Sequence, residues 1–492
     1  MTGRVSTATA PNVARVAGVD VSTDHYIGGE RVASAERFET RSPIDESLLA
    51  MVSRARENEV DQAARAAHEA FPAWAALGPA GRAEHLQRLA DLIDANVDRL
   101  AAVECMDMAM LLRSLRARVI GRGARNFRAY ADLATAYEER DWHSNGTWNR
   151  VQRMPAGPAA VITPWNAPFM LSTWKIAPAL AAGCTVVLKP AEWSPLSCSL
   201  LADLAHEADL PAGVFNLVQG IGDEAGAALV SHPLVRRVSF TGSPDTARSI
   251  GTAAARNIVP FTAELGGKNP LIAFADADLD AAALKAAGQY DDSGQVCLAG
   301  TRLLVEESVR DAFLERFNAA VDQHVLGDPR DDATTISPLI HPHHLARVEG
   351  FVERAVADGH RVVRGGRRAG GLFYEPTLIE PTRNDAEIVQ REVFGPVLTL
   401  QSFADEAEAI ALANSTEYGL AAIVYTGSLP RAERVGRAVR GGTVWVNTFL
   451  VRDLSAPFGG MGISGIGREG GDSALDFYSD LKTLQILDGS TQ

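Results

Sequence analysis

The chain has 492 residues, 46% hydrophobic and 22% charged, which excludes a largely disordered or fibrous protein and leaves ample length for a buried core. Lysine and arginine number 47 against 61 acidic residues, a formal net charge of −14 without a basic run, so neither nucleic acid nor an anionic membrane surface is an expected partner. Cys105, Cys184, Cys198 and Cys297 are too few and too scattered for a disulfide framework, and no pair has metal-ligand spacing.

At about 150 residues per domain, the length suggests two to four domains. Residues 1–20 lack an apolar core and read as a loose tail rather than a signal peptide, and no window is apolar enough to span a membrane, so a cytoplasmic location is expected. Between 54 and 104, apolar residues at helical spacing (Val60, Ala63, Ala67, Phe71; Leu86, Leu89, Leu92, Ile93) predict two amphipathic helices broken at Gly78-Pro79. From 158 to 274, β-rich runs at 159–163, 185–188, 214–218, 235–240 and 270–274 alternate with helical segments at 170–182, 196–208, 224–229 and 246–256. That alternation predicts βαβ units and a parallel sheet. A second alternating section has runs at 302–305, 397–403, 422–426 and 443–447, with a helix over 404–414. Two α/β layers imply a ligand cleft between domains. Segments 142–151 and 482–487 read as extended arms that could pair between subunits.

Ser293-Gly-Gln-Val-Cys297-Leu-Ala-Gly300 sets a cysteine among small residues where a backbone can approach a substrate closely. A helix opening at the following residues would favour the thiolate; the plain alternative is a packed core cysteine. Glu264, in Phe261-Thr-Ala-Glu-Leu-Gly-Gly-Lys268, ends a strand and reads either as a general base on the ligand side of the sheet or as a surface carboxylate paired with Lys268. Asn166 lies between Pro164 and Pro168, stiff enough to serve as an oxyanion donor or simply to complete a turn. Lys189 and Glu192 leave the second strand in the same way, as ribose contacts or as a solvated charge pair. Gly460-Met-Gly-Ile-Ser-Gly465 matches G-x-G-x-x-G, but no β-rich run precedes it and no acidic partner follows, so it reads as a tight loop.

Together, Pro164-Trp-Asn166, Lys189-Pro-Ala-Glu192, Phe240-Thr-Gly-Ser243, Glu264-Leu-Gly-Gly-Lys268, Gly294-Gln-Val-Cys297, Glu392-Val-Phe-Gly-Pro396 and Pro457-Phe-Gly-Gly460 resemble the aldehyde dehydrogenase superfamily, in its order, from about residue 25 to the end. The resemblance implies an α/β fold with a variant Rossmann NAD-binding domain (21–136 and 155–263), an α/β catalytic domain (264–470) and a small β oligomerisation arm (137–154 and 471–492). It implies assembly as a homodimer or homotetramer. It makes Cys297 the nucleophile, Glu264 the base, and the Asn166 side chain with the Cys297 N–H the oxyanion donors. Lys189 and Glu192 match the family's adenine-ribose contacts, and Glu392 and Phe394 its nicotinamide-side contacts. Ser243 matches the pyrophosphate turn, with Thr163, Trp165, Gly222 and Thr241 also on the cofactor side and Lys175 nearby. Thiolate attack on an aldehyde gives a thiohemiacetal, hydride loss a thioester, and water activated by Glu264 the acid. Glu192 opposes a 2′-phosphate and so favours NAD over NADP.

Phe449-Leu-Val-Arg452-Asp-Leu454, Gly467-Arg-Glu-Gly-Gly471 and Asp476-Phe-Tyr478 are similar to the muconic-semialdehyde branch, which includes the 2-hydroxymuconic and 5-carboxymethyl-2-hydroxymuconic semialdehyde dehydrogenases. That branch holds a substrate carboxylate with two arginines, which fall on Arg122 and Arg452. Arg122 is otherwise a helix-surface arginine. Departures from the family pattern are Pro244 and Ala247 after the pyrophosphate turn, and Met106-Asp-Met-Ala-Met110, expected as an apolar wall of the substrate entrance. Asp291-Asp292 are expected as negative charge near its mouth. The expected activity is NAD-dependent oxidation of a carboxylate-bearing or conjugated semialdehyde. The alternatives are the same enzyme acting on a neutral aldehyde, a cofactor-independent thiol esterase, and a non-catalytic structural member.

Overall fold

The computed structural model describes residues 12–487. At its centre five parallel strands lie in the spatial order Phe261–Glu264, Arg237–Thr241, Ala159–Thr163, Val186–Pro190, Phe215–Leu217. Ala159–Thr163 and Val186–Pro190 are buried along their whole length, the reason they read as unbroken apolar runs. Antiparallel strands complete this eight-stranded sheet: Gly465–Ile466 at one edge, His25–Ile27 and Glu30–Val32 at the other. From Ala159–Thr163 the chain adds two strands on one side, then two on the other. The crevice at that reversal opens beyond the carboxyl ends of Ala159–Thr163 and Arg237–Thr241, where such sheets bind ligands.

The second sheet runs Thr443–Val446, Ala421–Tyr425, Pro270–Ala273, Arg302–Glu306, Val397–Phe403, Thr377–Glu380, all parallel, with Arg361–Arg364 antiparallel at its edge. The predicted α/β architecture with two sheets is therefore present, and the predicted strands 159–163 and 397–403 coincide with the observed ones, but the run 270–274, read with the first section, pairs in the second sheet beside Arg302–Glu306. Among the described residues no helix is long and apolar enough to cross a membrane.

Several expectations are corrected. Residues 54–104 form three helices, Glu57–Ala76, Gly78–Ala95 and Val97–Met108, instead of two. The additional break falls at Asn96, whose backbone leaves the helical region and whose side chain donates to Leu92 O at 2.8 Å. The expected tail over 1–20 includes an antiparallel hairpin, Val13–Val16 with Val19–Ser22, in which Val16 and Val21 are buried; residues 1–11 lie outside the described residues. The stretch 106–110 is not part of the cleft wall. Met108 and Met110 pack in the core, and the buried Asp107 carboxylate accepts the Leu196 N–H at 2.8 Å, satisfying a donor at the start of helix Leu196–Glu207.

The two predicted extended segments come together in one antiparallel sheet of Arg140–Ser144, Thr147–Pro155 and Ser479–Leu487. Helix Gly471–Phe477 packs Ala474 and Leu475 into the main core. The strand of this sheet begins at Ser479, and residues 488–492 lie outside the described residues. Arg237 ties the arm to the first sheet, its Nε donating to Phe477 O at 2.5 Å and its Nη2 to Ser479 O at 3.1 Å.

Candidate active site

A cleft of ≈ 260 Å³ opens between the sheets, and Trp165, Asn166, Ser243, Glu264, Cys297 and Glu392 line it. Each arrives by a local device legible in the backbone. Ala159–Thr163 ends at the crevice, and the following turn carries Trp165 and Asn166 before Pro168 opens helix Pro168–Ala182. The Asn166 Nδ2 donates to Gln295 O at 2.9 Å, which locks the turn of one domain to the cysteine loop of the other. Glu264 lies in register with Thr241, at the carboxyl edge of the first sheet.

The cysteine loop is held from beneath. Asn269 Nδ2 donates to Cys297 O at 2.7 Å and to Ala299 O at 3.0 Å, while its Oδ1 accepts the Ala421 N–H at 3.0 Å. A Cβ on Gly267 would stand 2.6 Å from Cys297 O, so the glycine pair after Glu264 is a steric requirement of this packing. No helix opens at 299–300; the loop turns directly toward strand Arg302–Glu306, and the helix-dipole route to a thiolate is absent here. Burial, then the negative charges of Glu392 and Glu264, push the Cys297 thiol up to about 12, with Arg452 pulling the other way. The sulfur is therefore a thiol at rest and needs a proton acceptor.

Glu264 lines the same cleft. Its Oε2 is buried without a hydrogen-bond partner among the described residues. Burial, then the Glu469 carboxylate, hold it well above the ordinary carboxylate range, against the pull of Lys175, Arg468 and Arg452. Lys175 lies in the interior, ion-paired with Glu469 and donating to Ser239 Oγ at 3.1 Å, and does not line the cleft. Glu469 was not singled out by sequence reasoning, although an acid between Gly467 and Gly470 was a usable signal.

On the other side of Trp165 the Lys189 Nζ lies 3.0 Å from Glu192 Oε2, with Lys189 itself buried. Burial raises Glu192, but Lys189 and the N–H of Gly222 outweigh it, so the carboxyl stays below its ordinary range as an anion. Lys189, Glu192 and Gly222 thus form one cluster. Ser243 caps helix Pro244–Arg256, its Oγ accepting the Thr246 N–H at 3.2 Å. Pro244 occupies the first helical position without distortion, yet it removes one N–H from a helix terminus that would otherwise attract an anion. Thr241 lines the cleft; Thr163 is set back, its hydroxyl 2.9 Å from Ser172 Oγ. Phe394 meets Trp165 edge-on with ring centroids 5.3 Å apart, and its φ of 61° is a strained conformation costing ~1–3 kcal/mol.

Arg122 and Arg452 converge on one indole. Their guanidinium carbons lie 5.3 and 5.5 Å from the Trp174 ring, and Arg452 also lies 3.7 Å from the ring of Phe458. Arg122 is thus directed inward, unlike the exposed Arg125. Burial and then Arg452 draw the Arg122 pKa down to about 10, and neither arginine has an ion-pair partner among the described residues. Asp291 and Asp292 do not line the cleft. Asp291 is exposed, whereas burial and then the Asp291 charge push Asp292 up to about 6 while Arg118 and Arg113 oppose it, and Asp292, with φ of 51°, lies in the tight turn before the cysteine. Gly460–Gly465 is a tight loop as expected: Ser464 Oγ donates to Gly266 O at 2.7 Å and supports the glycine pair.

The chain is similar over nearly its full length to proteins of known kind. It is 41% identical over 480 residues to a 2-hydroxymuconic semialdehyde dehydrogenase from Pseudomonas sp. (strain CF600), spanning 94% of this chain and 99% of that relative. Among solved structures, HpcC from Thermus thermophilus matches with TM-score 0.92 and 45% identity, covering 96% of this chain and 97% of the other. The P. syringae indole-3-acetaldehyde dehydrogenase AldA, a structure in complex with NAD+ and IAA, matches with TM-score 0.93 and 38% identity over 95% and 97% of the two chains. The model of the aldehyde dehydrogenase family matches residues 31–484, and the chain belongs to that family.

Proposed function

We propose that this enzyme oxidises a carboxylate-bearing semialdehyde of the muconic type to the acid, with NAD as oxidant. The observation that carries the substrate class is the pair Arg122 and Arg452 around Trp174, two guanidinium groups brought together with no direct ion-pair partner among the described residues. Such a pair is stabilised by a bound carboxylate, which accepts from both in a planar geometry. The cleft fits a dinucleotide. The Glu192 anion beside Lys189 and Gly222 suits the hydroxyls of a ribose and repels a 2′-phosphate, and the Ser243 helix terminus suits a pyrophosphate. Glu392 and Phe394 would then face the nicotinamide half. Bound there, NAD would supply the hydride acceptor for the carbon attached to sulfur.

The remaining work falls to the chain itself. The Cys297 sulfur attacks the aldehyde carbon as its thiol proton passes to water. The Asn166 amide and the Cys297 N–H donate to the oxyanion that forms, where fixed donors stabilise charge without reorganising. After hydride loss the acyl group is a thioester on Cys297. Glu264, ionised, removes a proton from water as it attacks, and the carboxylic acid leaves. The arm's outward residues Leu481 and Leu487, 63% and 78% exposed on a long edge strand, support assembly of the cytoplasmic enzyme as a homodimer or homotetramer.

A second reading, oxidation of a neutral aldehyde, is favoured by the apolar surroundings of the two arginines, Trp174 and Phe458. Turnover of a panel containing a 2-hydroxymuconic-type semialdehyde, succinic semialdehyde, benzaldehyde and hexanal decides between them. Arg122→Gln and Arg452→Gln are expected to cut kcat/KM for the carboxylated members by roughly 10–100-fold, the loss of a charge-assisted contact of ~1.5–3 kcal/mol. The neutral members should change little. Equal effects on both groups would overturn the carboxylate pocket.

A further inference from the structure

Two side chains on helix Pro342–Ala357 hold three consecutive main-chain carbonyls of the cleft wall. His344 Nε2 donates to Phe394 O at 2.7 Å. The Arg347 guanidinium donates to Glu392 O at 2.8 Å and also to Val393 O. The two residues are three apart and so project from one face of the helix. They reach a strap, residues 392–395, that has no regular secondary structure and could not hold its shape alone. Phe394 in particular sits at φ 61°, which a bulky residue adopts only when its surroundings enforce it.

The opposite side of the strap is equally confined. Glu392 Oε1 accepts the Gly267 N–H at 2.9 Å, and a Cβ on Gly266 would lie 2.0 Å from Glu392 Oε2. A Cβ on Gly294, in the cysteine loop, would lie 2.2 Å from Gly395 O. The strap therefore touches both the turn after Glu264 and the loop before Cys297. His344 also meets Trp165 edge-on at 5.2 Å, so the clamp, the strap and the Asn166 turn form one packed unit. Burial draws His344 down to about 4, so its ring is neutral, with the Nε2 proton committed to the Phe394 carbonyl. Burial lowers Arg347 while Glu392 raises it, and the carbonyls it holds disperse its charge.

We propose that His344 and Arg347 are positioning residues that clamp the 392–394 strap, fixing Glu392 and Phe394 for the nicotinamide half of NAD while spending their own donors on main-chain carbonyls. The proposal rests on the NAD-dependent reading above. Releasing the clamp lets Phe394 relax to negative φ, which turns its ring away from Trp165 and draws Glu392 away from Gly267.

The test is calorimetric titration of NAD into the full-length enzyme and its His344→Ala, His344→Gln and Arg347→Ala variants, with the deuterium isotope effect on kcat from a 1-deuterated aldehyde as the second readout. Both alanine variants are expected to weaken NAD binding at least fivefold and to raise the isotope effect, because hydride transfer slows when the acceptor is poorly held. His344→Gln, which keeps a donor of similar reach, should recover most of the loss. Alanine variants that bind NAD within twofold of wild type with an unchanged isotope effect would overturn the clamp, as would a glutamine variant as impaired as alanine. If Arg347→Ala does not fold, the two His344 variants decide alone. Wild-type enzyme that gives no binding heat with NAD would instead refute the cofactor reading on which the clamp depends.

Discussion

Glu264 and Cys297 share one electrostatic problem. Burial opposes charge on both, and the Glu264 carboxylate further resists ionisation of Cys297, so two anions do not readily coexist. The base works in its ionised form, so turnover must fall as pH drops through the raised Glu264 pKa. The kcat profile is expected to show an acid limb above the ordinary carboxylate value of 4.5. Replacing Glu469 by Gln removes the largest charge opposing ionisation of Glu264 and leaves Lys175 without its buried anion, so the limb should move to lower pH. A limb that stays in place, or moves upward, would contradict the assignment of Glu469 as the neighbour that tunes the base. That Cys297, Glu264 and Asn166 meet in one cleft was legible through the resemblance, because each sits in a short motif dictated by turns and glycines. Glu469, His344 and Arg347 were not, because their partners are a distant lysine or main-chain carbonyls, and no side-chain pattern along the chain records those contacts.

At the scale of elements, the site depends on close approaches that only glycine permits. Gly267 is the clearest case, since a Cβ there would stand 2.6 Å from Cys297 O and 2.5 Å from Asn269 Oδ1. Gly267→Ala must push the cysteine loop or break the Asn269 bridge. It is expected to cost ~1–3 kcal/mol of stability and roughly 10²-fold in kcat/KM. Gly226→Ala, where a Cβ would meet nothing within 4 Å, should leave stability within about 0.5 kcal/mol. Thermal melting and steady-state kinetics on both variants check this, and equal effects would show that the approach distances do not govern the site. The central strands were legible because both faces are buried, giving continuous apolar runs. The hairpin Val13–Ser22 and the pair Arg37–Arg41 with Leu48–Ser53 were not, because edge strands mix exposed and buried residues and carry no such run.

For the whole molecule, the decisive feature is the reversal of strand order beside Ala159–Thr163. It opens a crevice in one domain opposite the cysteine loop of the other, and the Asn166–Gln295 hydrogen bond spans the gap. The Asn166 turn and the cysteine loop thus meet although they lie more than a hundred residues apart in the chain. The two α/β layers and the cleft were legible from alternation of strand and helix. That Arg122 and Arg452 come together was suggested only by resemblance, and their meeting over Trp174 was not foreseen, because tertiary packing and not spacing brings them there. The account as a whole stands on an acyl group passing through Cys297 and leaving by way of Glu264. Intact-mass spectrometry of Glu264→Gln after mixing with NAD and succinic semialdehyde tests it most directly. The expected result is one acyl adduct, the aldehyde mass less two hydrogens, formed with a single-turnover burst of NADH and absent from Cys297→Ala. An adduct that persists in Cys297→Ala, or wild-type turnover by Glu264→Gln without any adduct, would contradict it.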